Sequence, residues 1–266
     1  MSFIEKLRSS TRRNGSLLCV GLDVDQRLLP VSANGNLLRF NQAIVEQTHD
    51  LVCAYKLNLA FYLAGGAAGI EVLQQTIRLV PEQIPVILDL KCGDIQNTAE
   101  QYASACFEQF GCDAVTVNPL MGSDAVTPFL KYSDCCTFVL CLTSNPSAAD
   151  FERQALADGL PLFRHVARRI AEWSQQGQCG AVVAPVDATS MQDLRAELPD
   201  TPFLIPGIGA QGLDLEVAVR YGADVNHELA IINISRGIIY ASQGADFPLA
   251  ARQAAQRYKE EINRYR

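Results

Sequence analysis

Asp89, Lys91 and Asp94 form an Asp-x-Lys-x-x-Asp run at the end of a short apolar segment, Val86 to Lys91. Asp89 and Lys91 have i, i+2 spacing, so on a strand both side chains project from the same face, and that face is expected to line the interior of the fold. Buried charges are tolerated only when they are paired or used, and a satisfied Asp89–Lys91 pair is the plain structural alternative. Lys56, closing a neighbouring apolar run, extends the pair to an alternating charge network, which suits chemistry better than stability alone. A second group of residues suits a phosphate. The turn Pro206, Gly207, Ile208, Gly209, Ala210, Gln211, Gly212 has few side chains to keep an anion from backbone N–H groups, and it leads into a helix. Ser235, Arg236 and Gly237 follow another apolar run, and Arg236 offers a planar, bidentate donor.

Eight short apolar runs alternate with segments of helical periodicity, as a parallel sheet of βαβ units requires. The predicted strands are Leu17 to Asp23, Leu51 to Lys56, Val86 to Lys91, Ala114 to Asn118, Thr137 to Thr143, Gly180 to Ala184, Pro202 to Pro206 and Ala230 to Ser235. The predicted helices are Leu37 to Thr48, Gly69 to Val80, Asp94 to Phe110, Ser123 to Leu130, Leu160 to Gln175, Ser190 to Glu197, Leu213 to Tyr221 and Phe247 to Tyr265. This pattern predicts a (β/α)8 barrel, with Phe3 to Arg12 as a helix plugging its bottom and Gly222 to Glu228 as a bottom-face loop. Strand after strand closes on a polar residue: Asp23, Lys56 and Asn58, Asp89 and Lys91, Asn118, Thr143 and Ser144, then Ser235 and Arg236. The C-terminal ends of barrel strands are where such enzymes place their sites, and the loops after strands 7 and 8 are the usual phosphate position.

The chain has 266 residues, 48% of them hydrophobic, enough for one large core and hence for a single domain over 1–266. A net charge of −7 argues against a nucleic-acid or membrane footprint, so an anionic ligand must meet local positive groups. Nine cysteines in a chain of this length, without a signal peptide or an even spacing framework, point to reduced thiols and a cytoplasmic location. Cys19, Cys53, Cys106 and Cys141 lie in or beside apolar runs and are expected to be core residues. No Cys-x-x-Cys pair occurs and the three histidines are scattered, so no metal site is expected. No apolar stretch is long enough to span a membrane.

These segments resemble the orotidine 5′-phosphate decarboxylases, particularly the branch common in many bacteria. The resemblance is carried by Leu18 to Asp23 (LCVGLD), Ala54 to Tyr62 (AYKLNLAFY), Val86 to Thr98 (VILDLKCGDIQNT), Ala114 to Pro119 (AVTVNP), Phe203 to Gly212 (FLIPGIGAQG) and Ile231 to Ala241 (IINISRGIIYA). It implies conversion of orotidine 5′-monophosphate to uridine 5′-monophosphate without a cofactor, by an obligate homodimer with shared sites. It implies catalytic roles for Lys56, Asp89, Lys91 and Asp94. Asp89 and Lys91 would stand against the substrate carboxylate and C6, and Asp23 would bind ribose hydroxyls. Asp94, Ile95 and Thr98 would enter the partner's site, and Ser144 would read the pyrimidine edge. Gln211 and Arg236 would hold the phosphate, with Gly207, Gly209 and Gly237 beside it, and Asn118 joins the substrate-binding set. The resemblance leaves open a free-standing enzyme or a domain fused to, or associated with, an orotate phosphoribosyltransferase. Three places depart from the family pattern. Cys92 stands where arginine is usual, Val24 where proline is usual before Asp25, and Ala184 to Val186 (APV) in place of Gly-Ala-Thr.

Two rivals follow from the same residues. Related hexulose-phosphate synthases and ketogulonate-phosphate decarboxylases share the Asp-x-Lys-x-x-Asp element but resemble magnesium-dependent enzymes with an extra carboxylate near strand 2, where this chain has Lys56. A non-catalytic phosphosugar-binding barrel is the other, since fold alone does not fix function.

Overall fold

A computed structural model describes residues 1–209 and 212–266. The chain runs α1 (Phe3–Asn14), β1 (Leu18–Gly21), α2 (Leu37–Thr48), β2 (Ala54–Asn58), α3 (Leu59–Leu63), α4 (Gly66–Leu79), β3 (Val86–Cys92), α5 (Gln96–Ser104) and β4 (Ala114–Val117). It continues through α6 (Ser123–Leu130), β5 (Cys136–Leu142), α7 (Leu162–Trp173), β6 (Gln178–Val183), α8 (Ala188–Glu197), β7 (Phe203–Ile205), α9 (Leu215–Gly222), β8 (Ala230–Ile234), α10 (Arg236–Ile239) and α11 (Phe247–Tyr265). The strands close in chain order, every neighbour parallel and β8 pairing with β1, so the predicted barrel is the fold.

Alternation along the strands divides the apolar residues between two compartments. Val20, Tyr55, Leu88, Val115, Val139, Phe203 and Ile232 face the helices in the outer core. Cys19, Ala54, Ile87, Ala114, Phe138, Val182, Leu204 and Ile231 face inward and fill the lower barrel. Phe3 and Leu7 of α1 join that inner cluster, and the Phe3 ring meets Phe138 edge-on at 5.5 Å. Helix α1 is therefore the bottom plug, and it carries a capping box from Ser2 and Glu5. Arg8 and Arg12 tie it to the buried Glu228 at 2.8 and 2.6 Å, and Arg8 also reaches Asp224 at 3.3 Å. The Gly222 to Glu228 segment thus lies on the bottom face, as predicted.

Several boundaries differ from expectation for identifiable reasons. β1 ends at Gly21 because Ser235 closes against it: a Cβ at Gly21 would stand 1.9 Å from the Ser235 hydroxyl. β2 begins at Ala54, since Leu51 follows a helical turn whose carbonyl at Thr48 accepts its N–H. Short α3, capped by Asn58, was not expected, and the Asp94 to Phe110 segment is two pieces, α5 followed by a π-helical Ala105–Phe110 that ends at left-handed Gly111. Short α10 follows β8 directly.

Candidate active site

The upper layer of the barrel interior is polar where the lower layer is apolar. Lys56 lies above Ala54, Asp89 above Ile87, Thr116 above Ala114 and Asn233 above Ile231, each two residues further along its strand. Lys56 Nζ is 3.0 and 3.1 Å from the two carboxylate oxygens of Asp23 and 3.4 Å from Asp89 Oδ2. Lys91 Nζ donates to Asp89 Oδ1 at 2.5 Å. The result is a chain of alternating charge, Asp23, Lys56, Asp89 and Lys91, of zero net charge.

Neutral groups complete the valences of both carboxylates. Asn58 donates its side-chain amide to Asp89 Oδ2 at 3.2 Å and its backbone N–H to Asp23 Oδ1 at 3.0 Å. Ser235 donates to Asp23 Oδ2 at 2.7 Å, and Thr116 donates to Asp89 Oδ1 at 2.8 Å. Burial opposes the charged form of Lys56, but Asp23 and Asp89 more than offset it and raise the ammonium's pKa. Burial likewise works against the Asp89 carboxylate, yet Lys56 and Lys91 prevail and hold it at about 2. Both groups are thus fixed in their ionised forms.

Lys91 requires a correction. It was expected to point into the interior beside Asp89, but the β3–β4 register breaks between Leu88 and Cys92, and Lys91 takes a left-handed backbone, φ 49°. That conformation costs a non-glycine residue roughly 1–2 kcal/mol. Its side chain is 44% exposed against 9% for Asp89, so the ammonium sits at the rim and reaches down to the carboxylate.

A cavity of about 440 Å³ opens over this layer. Its lining includes Asp23, Lys56 and Asp89 of the charged layer and Gly207, Arg236 and Gly237 from the segments after β7 and β8. The turn after β7 needs its glycines, Gly207 and Gly209 having φ 95° and 85°. Arg236 is exposed at the start of α10. Gln211 lies outside the described residues.

The remaining predicted residues are not drawn into the network. Asp94 is half-buried and its carboxylate accepts the N–H of Ile95, which is 63% exposed, while Thr98 is exposed on the first turn of α5. Asn118 is exposed and its side-chain oxygen accepts the Leu120 N–H at 3.0 Å. Ser144 follows β5 on a loop anchored by Glu152, which accepts the Thr143 N–H at 2.7 Å and its hydroxyl at 2.8 Å. Cys92 is half-buried, and burial pushes its thiol up to about 12. Cys19, Cys53, Cys106 and Cys141 are buried, as expected. Two contributors had drawn no role from sequence: Thr116, and Glu152 as a loop anchor. Strand parity with Ala114 was the available signal for Thr116.

Residues 16–246 match the model of a family described as "Orotidine 5'-phosphate decarboxylase / HUMPS family". The chain belongs to that family. Among its relatives, the orotidine 5′-phosphate decarboxylase of Dehalococcoides mccartyi strain CBDB1 is 44% identical over all of this chain and 99% of its own. That of Roseiflexus sp. strain RS-1 is 46% identical over 99% of this chain and 98% of its own. Among solved structures, Leishmania donovani OMP decarboxylase superposes with a TM-score of 0.87 at 37% identity, covering all of this chain and 98% of that one. Leishmania donovani UMP synthase superposes at 0.89 with 39% identity, and this chain spans 56% of its length. Asp89 and Lys91 of the Asp-x-Lys-x-x-Asp run supply an interior and a rim charge, with Lys56 the cation between the two interior carboxylates. Among the described residues, no helix is long and apolar enough to cross a membrane.

Proposed function

We propose that this chain decarboxylates orotidine 5′-monophosphate to uridine 5′-monophosphate. The observation that carries this is the alternating chain Asp23–Lys56–Asp89–Lys91, whose first three members line one cavity together with Gly207 and Arg236, in a member of this family. Phosphate binds at Arg236, Gly207, Gly209, Gly237 and Gln211, the ribose hydroxyls meet Asp23, and the orotate carboxylate lies beside Asp89 and Lys91. Asn118 and Ser144 belong to the substrate-binding set, Ser144 at the pyrimidine edge.

Breaking the bond from C6 to the carboxylate leaves its electron pair on C6, in the ring plane, where the π system cannot accept it. Lys91 stabilises that carbanion with a fixed ammonium and then transfers a proton to C6, carbon dioxide having left. Asp89 aims the Lys91 ammonium, and its charge faces the carboxylate that departs. Binding the remote phosphate favours closure of the loops after β5 and β7, so that its energy reaches the transition state.

Lys56 also favours this reaction over that of the magnesium-dependent relatives. An ammonium ion-paired to Asp23 and Asp89 occupies the place near strand 2 where a metal-binding carboxylate would be needed. The deciding assay follows the absorbance of the orotate ring with orotidine monophosphate as substrate, before and after EDTA treatment. Conversion to uridine monophosphate at the same rate in both is expected; no conversion, or conversion lost on chelation, rejects the assignment. Arg236→Ala is expected to raise KM about 10²-fold while kcat changes little, as removal of a charge-assisted bidentate contact implies. A KM within about threefold of the parent value would place the phosphate elsewhere.

Asp94, Ile95 and Thr98 complete the site of a second subunit. This is supported by the lack, among the described residues, of any hydrogen bond or ion pair from them to the network on their own subunit, and by exposed apolar side chains around the loops after β2 to β4. Leu63, Ile95, Leu120 and Met121 are 53%, 63%, 75% and 57% exposed there. In such a homodimer, mixing inactive Lys91→Ala and Asp94→Ala enzymes restores about a quarter of parental activity, because half the dimers are hybrids with one intact site of two. A mixture as inactive as its parents, or a fully active monomer, removes the shared site.

A further inference from the structure

Thr116 is buried on β4, at 1% exposure, and its hydroxyl makes every hydrogen bond available to it. Oγ1 accepts the N–H groups of Leu90 and Lys91 at 3.1 and 2.9 Å and donates to Asp89 Oδ1 at 2.8 Å. A hydroxyl has one proton and two acceptor positions, so the two amide donors dictate that the proton goes to the carboxylate. These contacts fall where the β3–β4 register shifts, between Leu88 and Cys92, and where a bulge leaves backbone groups without ladder partners. Lys91 adopts its left-handed φ of 49° at that place. One side chain thus holds both the backbone that aims the ammonium and the carboxylate that receives it. The Asp89 oxygen bound by Thr116 is the one bound by Lys91; Lys56 and Asn58 bind the other.

We infer that Thr116 is a positioning residue for the decarboxylation: its hydroxyl fixes the bulge that presents Lys91 and sets the orientation of the Asp89 carboxylate. This deepens the proposed function and rests on it. Threonine is matched in shape by valine, which offers none of the three hydrogen bonds, while serine keeps all three. The proposed phosphate contacts follow β7 and β8 and the ribose contact Asp23 follows β1, none of them on β3 or β4, so the loss falls on the chemical step rather than on substrate capture.

Thr116→Val is expected to lower kcat about 10²-fold, the scale set by misplacing a reacting group by about 1 Å, with KM for orotidine monophosphate within about threefold of the parent. Thr116→Ser is expected to stay within about threefold of the parent in both. Exchange of the C6 hydrogen of uridine monophosphate in D2O uses the same Lys91 proton transfer in reverse, and it should fall with kcat in Thr116→Val. A purely structural role would lower the melting temperature while leaving kcat per folded enzyme and C6 exchange unchanged. The inference is overturned if Thr116→Val retains kcat, or if Thr116→Ser is as impaired as Thr116→Val. Should Thr116→Val not fold, Thr116→Ala decides by the same readouts. If the parent enzyme does not turn over orotidine monophosphate, the proposed function fails separately. Amide exchange then decides the positioning claim, since the Leu90 and Lys91 N–H groups must lose protection in Thr116→Val and keep it in Thr116→Ser.

Discussion

Lys91→Ala is expected to reduce kcat by about four orders of magnitude or more, with KM changed far less. Two effects are removed together. A fixed ammonium facing a developing carbanion is worth about 10²–10³ in rate, and a positioned proton donor about 10²–10⁴. Both are lost from the transition state and neither contributes much to holding the ground-state substrate, whose proposed anchors are its phosphate and ribose. The Lys91 ammonium is held 2.5 Å from Asp89, so truncation also leaves that carboxylate facing the substrate's own carboxylate with less compensation. Stopped assays on the orotate absorbance test the prediction, and turnover within tenfold of the parent, on the order of 1.4 kcal/mol, would remove Lys91 from the chemical step.

Lys56→Met is expected to damage the fold as well as the site. Lys56 is 5% exposed and is the cation between two carboxylates. Among the described residues Asp23 keeps only Asn58 and Ser235 as partners, while Asp89 keeps Lys91, Asn58 and Thr116. Removing one member of a buried pair costs about 3–5 kcal/mol, which for a domain of this size lowers the melting temperature by roughly 10 °C. The pH dependence has a definite sign. Without Lys56, burial pushes the Asp89 carboxyl up from the value of about 2 that Lys56 and Lys91 hold it to. A carboxyl raised in the folded state penalises folding at high pH, so the deficit of Lys56→Met should shrink as pH falls through the raised pKa of Asp89. Melting curves between pH 8 and about 5 measure this. A melting temperature unchanged from the parent across that range would show that the network is not held by Lys56.

How much of this was legible in the sequence depended on whether a residue's chemistry or its surroundings gave it away. The eight strands were visible because each is a short apolar run, and the inward charges because Asp23, Lys56 and Asp89 end such runs. Helix α1 was readable as a plug since Phe3 and Leu7 share one apolar face. Thr116 was not, because threonine is an ordinary strand residue and its importance lies in what β3 places opposite it. The bulge was invisible for the same reason. Alternation along Asp89, Leu90 and Lys91 predicts a regular strand, and only the hydrogen bonds to the adjacent strand reveal that the parity breaks. The π-helical Ala105–Phe110 likewise satisfies the helical pattern on either side of it. The role proposed for Asp94, in the site of a second subunit, has no signature in a single chain beyond the failure of the residue to join its own network.

The bottom plug bears on how the chain can be reconnected. Helix α1 starts under β5 and β6, where Phe3 N–H meets the Asp134 carbonyl and Ile4 N–H meets Gln178, and it crosses the barrel floor to Glu228. The last helix finishes beside that far end, with Asn263 bonded to the Gly15 carbonyl and Arg266 to the His227 carbonyl. The two termini therefore share one face, separated by little more than the length of α1, roughly 18 Å for 12 residues. A linker of about eight residues spans that distance. Circular permutants joined there and reopened at a floor loop between a helix and the next strand would keep the catalytic face intact.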